Sequence, residues 1–135
     1  MADKKIRLRI VTPIRRLFDK EIDMVIMRAS TGDMGILYGH EPVTTTLSYG
    51  TMRIFDGETE LNATVFGGFA EITPECVTIL SDSGEWPEEI DVERAMRSKE
   101  RAEKRLQDAS SDVERAQLAL RRALVRIDTV SKWKK

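Results

Sequence analysis

The sequence has 135 residues, enough for one domain with an appendage, and its 41% apolar content can build a packed core. A formal charge of −1 gives no general electrostatic case for nucleic-acid binding, and one cysteine, Cys76, excludes an intramolecular disulfide and argues against a cysteine metal site. No signal-peptide core is visible and no apolar run nears the roughly 20 residues that span a bilayer, so a soluble chain in a reducing compartment is expected.

The first part of the chain has the period of strands. Ile6, Leu8 and Ile10 alternate with Arg7 and Arg9, the period of two that a half-buried strand requires. Similar runs follow at Met24–Ala29, Thr51–Phe55, Leu61–Phe66, Phe69–Thr73 and Val77–Leu80, with turn-formers such as Thr12-Pro13, Gly32-Asp33, Gly39-His40, Asp56-Gly57 and Gly67-Gly68 between them. Closely spaced strands without intervening helices predict an antiparallel sandwich or barrel. Ser81–Glu89, with Gly84, Pro87 and several acids, reads as a linker. The expected organisation is therefore a β domain over 1–84 and a second domain over 85–135.

From Asp91 onward glycine and proline disappear and good helix formers dominate. Asp91 can cap a helix whose inner line runs Val92, Ala95, Lys99, Ala102, Leu106 and Ala109, a coiled-coil-like spacing. Ser111-Asp112-Val113-Glu114 has the form of a capping box for a second helix, with the stripe Val113, Ala116, Leu120, Ala123, Ile127 and Val130. Both stripes are narrow and rich in alanine, so the pair should bury little apolar area and be able to open or re-dock. The fold class is thus α+β: an N-terminal antiparallel β-sandwich followed by a C-terminal α-helical hairpin. Charge divides along the same line. Residues 1–93 hold 9 Lys+Arg against 17 Asp+Glu, a balance of −8, whereas residues 94–135 hold 13 against 6, a balance of +7. A basic tail on an acidic body implies an anionic partner for the tail.

The segment Thr31–Pro42, TGDMGILYGHEP, resembles the G-(D/E)-x-G-(I/L)-L-P-G-H-x-P loop of F-type ATP synthase epsilon subunits. Gly32, Gly35, Ile36, Leu37, Gly39, His40 and Pro42 match it, and Tyr38 stands where that family usually has proline. Val11-Thr12-Pro13, Gly67-Gly68-Phe69-Ala70-Glu71-Ile72 and Val77–Leu80 are similar to further family segments in the same order. The resemblance implies a ten-stranded sandwich that docks on the gamma subunit and the c-ring, with Gly32, Gly35, Leu37, Gly39, His40 and Pro42 in a partner-docking loop. It also implies a helical pair that folds back or extends along gamma toward an acidic loop of the catalytic beta subunits and inhibits hydrolysis. The expected place is peripheral, on the cytoplasmic face of the bacterial plasma membrane, with no catalytic or metal site in this chain.

Ile90-Asp91-Val92-Glu93-Arg94-Ala95 has the form (I/L)-D-x-x-R-A, which in some bacterial epsilon subunits resembles part of an ATP site. Carried over position by position, the remaining ligands fall on Glu85, Arg101, Arg122 and Arg126. The spacing suits that chemistry, because Arg94 and Arg101 are seven apart and Arg122 and Arg126 four apart, each pair on one helical face. Planar guanidinium forks match phosphate oxygens, while Glu85 and Asp91 suit adenine or ribose groups. ATP is expected as a regulatory ligand of the closed hairpin, and no Walker-type loop is present for hydrolysis.

Plainer readings accompany these. Asp91 can serve simply as an N-cap, and arginines on a helix commonly form a solvated face. His40, the sole histidine, suits a loop-ordering hydrogen bond better than a metal or catalytic role, and Gly67-Gly68 suits a bulge or a close backbone approach. The competing functional reading is a sandwich and coiled-coil adaptor that binds protein and no nucleotide. A nucleic-acid binder is disfavoured because the tail offers only Trp133 for stacking.

Overall fold

Ile6, Leu8 and Ile10 are fully buried along the first strand, β1 (Ile6–Val11), while Arg9 between them is exposed. The computed structural model describes residues 4–108 and 112–134. It divides into two compact units, Met1–Glu85 and Trp86–Lys135.

The first unit is a sandwich of two five-stranded sheets. After β1 come β2 (Arg16–Ile22), β3 (Met24–Ala29), β4 (Gly32–Ile36), β5 (Val43–Thr46), β6 (Tyr49–Asp56), β7 (Thr59–Phe66), β8 (Phe69–Ile72), β9 (Cys76–Leu80) and β10 (Gly84–Glu85). One sheet has the order β2-β1-β9-β8-β5 and the other β10-β7-β6-β3-β4. Fully buried Met27, Met52, Ile54, Ile72 and Ile79 join the β1 residues in the core. All paired strands run antiparallel except β1 and β9, which are parallel with Leu8 opposite Val77 and Ile10 opposite Ile79. A parallel pair needs a long connection, and here most of the sandwich lies between the two strands.

Four strands go beyond the alternating runs of the sequence. In β2, Leu17 and Phe18 are adjacent yet both buried, next to a register shift between Ile10 and Val11 in the neighbouring strand. β4 and β5 are the outermost strands at one side of their sheets; edge strands need less of the apolar alternation that marks a strand in sequence. The linker expected over Ser81–Glu89 is revised. Gly84 and Glu85 pair with Val65 and Thr64 of β7, and Pro87–Glu89 form a 3-10 turn closed by the Glu89 carboxylate on the Trp86 N–H at 2.9 Å. Backbone pairing at a sheet edge tolerates glycine and acidic residues, which is why composition alone read this stretch as loop.

The second unit holds α1 (Val92–Gln107) and α2 (Val113–Trp133), packed as a hairpin. Ala95 and Ala102 are buried on α1, and Ala116 and Ala123 on α2, with Val92, Lys99, Leu106, Leu120, Ile127 and Val130 half-buried beside them. Ala109 and Ser111 lie outside the described residues. The N-cap of α2 is Asp112, whose carboxylate accepts the Arg115 N–H at 3.1 Å. Counting from that cap puts Glu114 one position too early for the capping box expected from Ser111. Val113, expected in the inner stripe, is 47% exposed because the first turn projects it outward. Thr129 is fully buried instead, its hydroxyl satisfied by the Val125 carbonyl at 2.8 Å.

Candidate functional site

Ile90 joins the 3-10 turn to α1, and its side chain is almost wholly buried. Its N–H donates to the Pro87 carbonyl at 3.2 Å, and its own carbonyl accepts from Lys134 Nζ at 2.9 Å. Asp91 follows as the N-cap, accepting the Arg94 N–H at 3.1 Å. Only one carboxylate oxygen is engaged in that bond, so capping leaves the other able to face a ligand. Ala95, next in the motif, is buried, and a larger side chain would not fit the helix contact.

The arginines follow from helical geometry. At 100° per residue, Arg94 and Arg101 each stand one position before a buried alanine, Ala95 and Ala102. On α2, Arg122 stands one position before buried Ala123, and Arg126 three after it. Because a hairpin reverses the second helix, equal offsets fall on the same side, so all four guanidiniums share one flank. The Lys134–Ile90 contact sets the last turn of α2 beside the start of α1, so counting back along the antiparallel helix places Arg122 and Arg126 beside the middle of α1, level with residues 98–102 and next to Arg101. Arg94, Arg101 and Arg122 are exposed and Arg126 half-buried, and Arg101 Nη2 donates to Ser98 Oγ at 3.1 Å. Glu85 belongs to the other unit. It is a half-buried residue of β10 paired with Thr64. The hairpin therefore gathers Ile90, Asp91, Arg94, Ala95, Arg101, Arg122 and Arg126, while Glu85 is held by the sandwich.

The loop 37–42 runs from β4 in one sheet to β5 in the other, at the sandwich end that carries the Thr73–Cys76 turn. Gly39, at φ +87°, donates its N–H to the Pro74 carbonyl at 2.8 Å, a conformation that favours glycine. His40 closes the loop from within: its N–H reaches the Leu37 carbonyl at 3.2 Å and its Nδ1 donates to the Glu41 carbonyl at 2.7 Å. These bonds hold Leu37 and Tyr38 outward, 46% and 36% exposed, with the Lys4 ammonium 5.2 Å from the Tyr38 ring centre. Gly32 has φ +127°, while Gly35 and Pro42 are exposed parts of the same stretch.

A second apolar surface has a weaker sequence signal. Leu80 pairs with Val11 on one side and with Phe69 on the other, so the three residues form a row across β1, β9 and β8. Phe69 and Leu80 are 43% and 40% exposed, and with Pro13 they line a shallow groove ending at Gly68 and Asp82. The signal was present as apolar residues on the outward phase of strands whose inward phase, Ala70 and Ile79, is buried.

Known proteins share this architecture. The model of the ATP synthase delta/epsilon chain beta-sandwich domain matches residues 5–87, and that of the delta/epsilon long alpha-helix domain matches residues 88–131. The ATP synthase epsilon chain of Bacillus velezensis is 48% identical over 128 residues, covering 93% of this chain and 96% of that one. That of Caldanaerobacter subterraneus is 41% identical over 134 residues, covering 97% of each. The fold is also similar to a chain of the Euglena gracilis mitochondrial ATP synthase, at a TM-score of 0.80 and 23% identity over 92% of this chain and 80% of that chain. With both domains matched in order and relatives of this identity spanning nearly the whole length, the chain belongs to the ATP synthase delta/epsilon family, as a bacterial-type epsilon subunit that is a non-catalytic component of the complex.

Proposed function

We propose that this chain works in the central stalk as both coupling element and brake. The sandwich docks on the gamma subunit and the c-ring, using the loop 37–42 and the Val11–Leu80–Phe69 row as its two apolar faces. The hairpin restrains hydrolysis when it leaves its folded state and reaches the catalytic beta subunits. ATP bound to the closed hairpin opposes that movement through its higher affinity for the closed form. The chain would thus sit peripherally, on the cytoplasmic face of the bacterial plasma membrane; no described helix is long and apolar enough to cross a membrane.

The observation that carries this reading is the shared flank of Arg94, Arg101, Arg122 and Arg126 beside an Asp91 cap. Four guanidiniums on one side of a hairpin suit a triphosphate, whose negative charge they would neutralise. The alanine seam supports the second half of the reading. Burying methyl groups rather than leucines keeps the helix contact thin, and a switch requires two packings only a few kcal/mol apart. Isothermal titration of the full chain with ATP tests the proposal. Saturable heat is expected, weakened at least about tenfold in the double variant Arg122→Ala plus Arg126→Ala, since each lost charged hydrogen bond is worth roughly 1.5–3 kcal/mol. A flat titration of the parent protein would remove the nucleotide role.

A further inference from the structure

At the end of the hairpin where α1 begins and α2 finishes, a lysine side chain spans the gap between the helices. Lys134 follows the last turn of α2, and its N–H still bonds to the Val130 carbonyl at 3.2 Å. Its ammonium donates to the carbonyl of Ile90 at 2.9 Å, across 44 residues of sequence. That carbonyl lies before the N-cap, outside the i to i+4 ladder of α1, whose first bond runs from the Ala95 N–H to the Asp91 carbonyl. The acceptor is therefore a spare backbone group, and α2 supplies a cation to it.

We propose that Lys134 is the clasp of the hairpin, a positioning residue that holds the Ile90–Asp91 peptide and sets how readily α2 parts from α1. Three features support this. Ile90 is fixed from both sides, by its N–H on Pro87 and its carbonyl on Lys134, so the clasp bears on the backbone that aims Asp91. The neighbouring cation, Lys132, is already engaged with Asp128 at 3.2 Å and lies 5.7 Å from the Trp133 ring centre, leaving the reach to Ile90 to Lys134. The alanine seam behind the clasp is thin, so a charge-assisted bond at this end adds measurably to the buried Ile90 and Thr129 in keeping it shut. Extending α2 away from α1 breaks this bond. The effect on nucleotide rests on the ATP reading above; the effect on closure does not.

The experiment uses the full chain with Cys76→Ser and spin labels on Met96→Cys and Leu124→Cys. Met96 and Leu124 are 52% and 44% exposed, and each follows a buried alanine by one position, so both lie on the flank opposite the arginines. Label distances are recorded without nucleotide for the parent, Lys134→Met and Lys134→Arg, and each is then titrated with ATP. The expected result is a roughly threefold to tenfold rise in the open-to-closed ratio for Lys134→Met, with closure restored by Lys134→Arg, which keeps a cationic donor. Apparent ATP affinity falls in Lys134→Met as the closed fraction falls. A nucleotide-free distance distribution unchanged in Lys134→Met overturns the clasp, as does equal opening in the methionine and arginine variants. If the parent binds no ATP, the nucleotide reading fails while the distance measurements still decide the clasp.

Discussion

Gly68 lies against the backbone of Leu80: a Cβ on Gly68 would stand 2.0 Å from the Leu80 carbonyl oxygen, and the residue has φ +98°. The contact brings the start of β8 onto the end of β9, where Ser81 Oγ also donates to the Gly67 carbonyl at 2.7 Å. Gly68→Ala is therefore expected to destabilise the sandwich by about 3 kcal/mol or more, because the clash is with backbone and the conformation is strained as well. Gly35→Ala, with open space around it and no positive φ, should change stability by less than about 0.5 kcal/mol. Denaturant unfolding followed by circular dichroism compares the two, and similar losses would contradict the close-approach argument.

Asp19 on β2 gathers three arginines: Arg7 Nε at 2.7 Å, Arg16 Nη1 at 3.2 Å and Arg9 Nε at 3.4 Å. The hydrogen bond from Arg7, and then the charges of all three, hold its carboxyl below the ordinary value of 3.8. A depressed carboxylate contributes stability that is fully present above the unfolded-state value and is lost as pH falls through the folded one. Asp19→Asn should lower the melting temperature at neutral pH, and its deficit should close as the pH is taken well below 3.8. A deficit of constant size across that range would sink the charge account.

Asp91 has two separable roles. Asparagine keeps the cap while removing the charge, and alanine removes both. Asp91→Ala is expected to cost about 1 kcal/mol of helix stability, with Asp91→Asn near the parent. If the carboxylate also faces the nucleotide, Asp91→Asn should weaken ATP binding without changing helix content. Titration calorimetry and far-ultraviolet circular dichroism on the same samples separate these outcomes.

The seam between the helices is set by small residues. Ala102→Leu places three extra carbons at a site 2% exposed, an overpacking that typically costs about 1–3 kcal/mol. The expected result is a more open hairpin and stronger restraint of hydrolysis in the assembled complex. ATPase assays of reconstituted complex, run beside hydrogen exchange of α2, check both, and a tighter, more protected α2 would count against the thin-seam account.

Legibility in the sequence followed burial. The inner strands announced themselves because Ile6, Leu8 and Ile10 must reach water-free space on one face, and the helical seam because Ala95, Ala102, Ala116 and Ala123 recur at seven. The candidate arginines were equally readable, since same-face spacing along a helix is a property of the helix itself. Lys134 carried no such mark. A lysine near a helix end is ordinary in sequence, and only the folded chain shows which carbonyl it meets.

By itself the sequence determined the fold class, the division into a β unit and a helical pair, the family, and the rows of side chains on each helix. All of these depend on short-range periodicity or on motifs that keep their order. Only tertiary structure decided the parallel pairing of β1 with β9, the edge strands β2, β4, β5 and β10, the burial of Thr129 in place of Val113, and the partner of Lys134. Those features arise from contacts between residues far apart in the chain or from strands whose one free edge relaxes the apolar pattern. In such places local chemistry allows several arrangements, and the packing of the whole selects one.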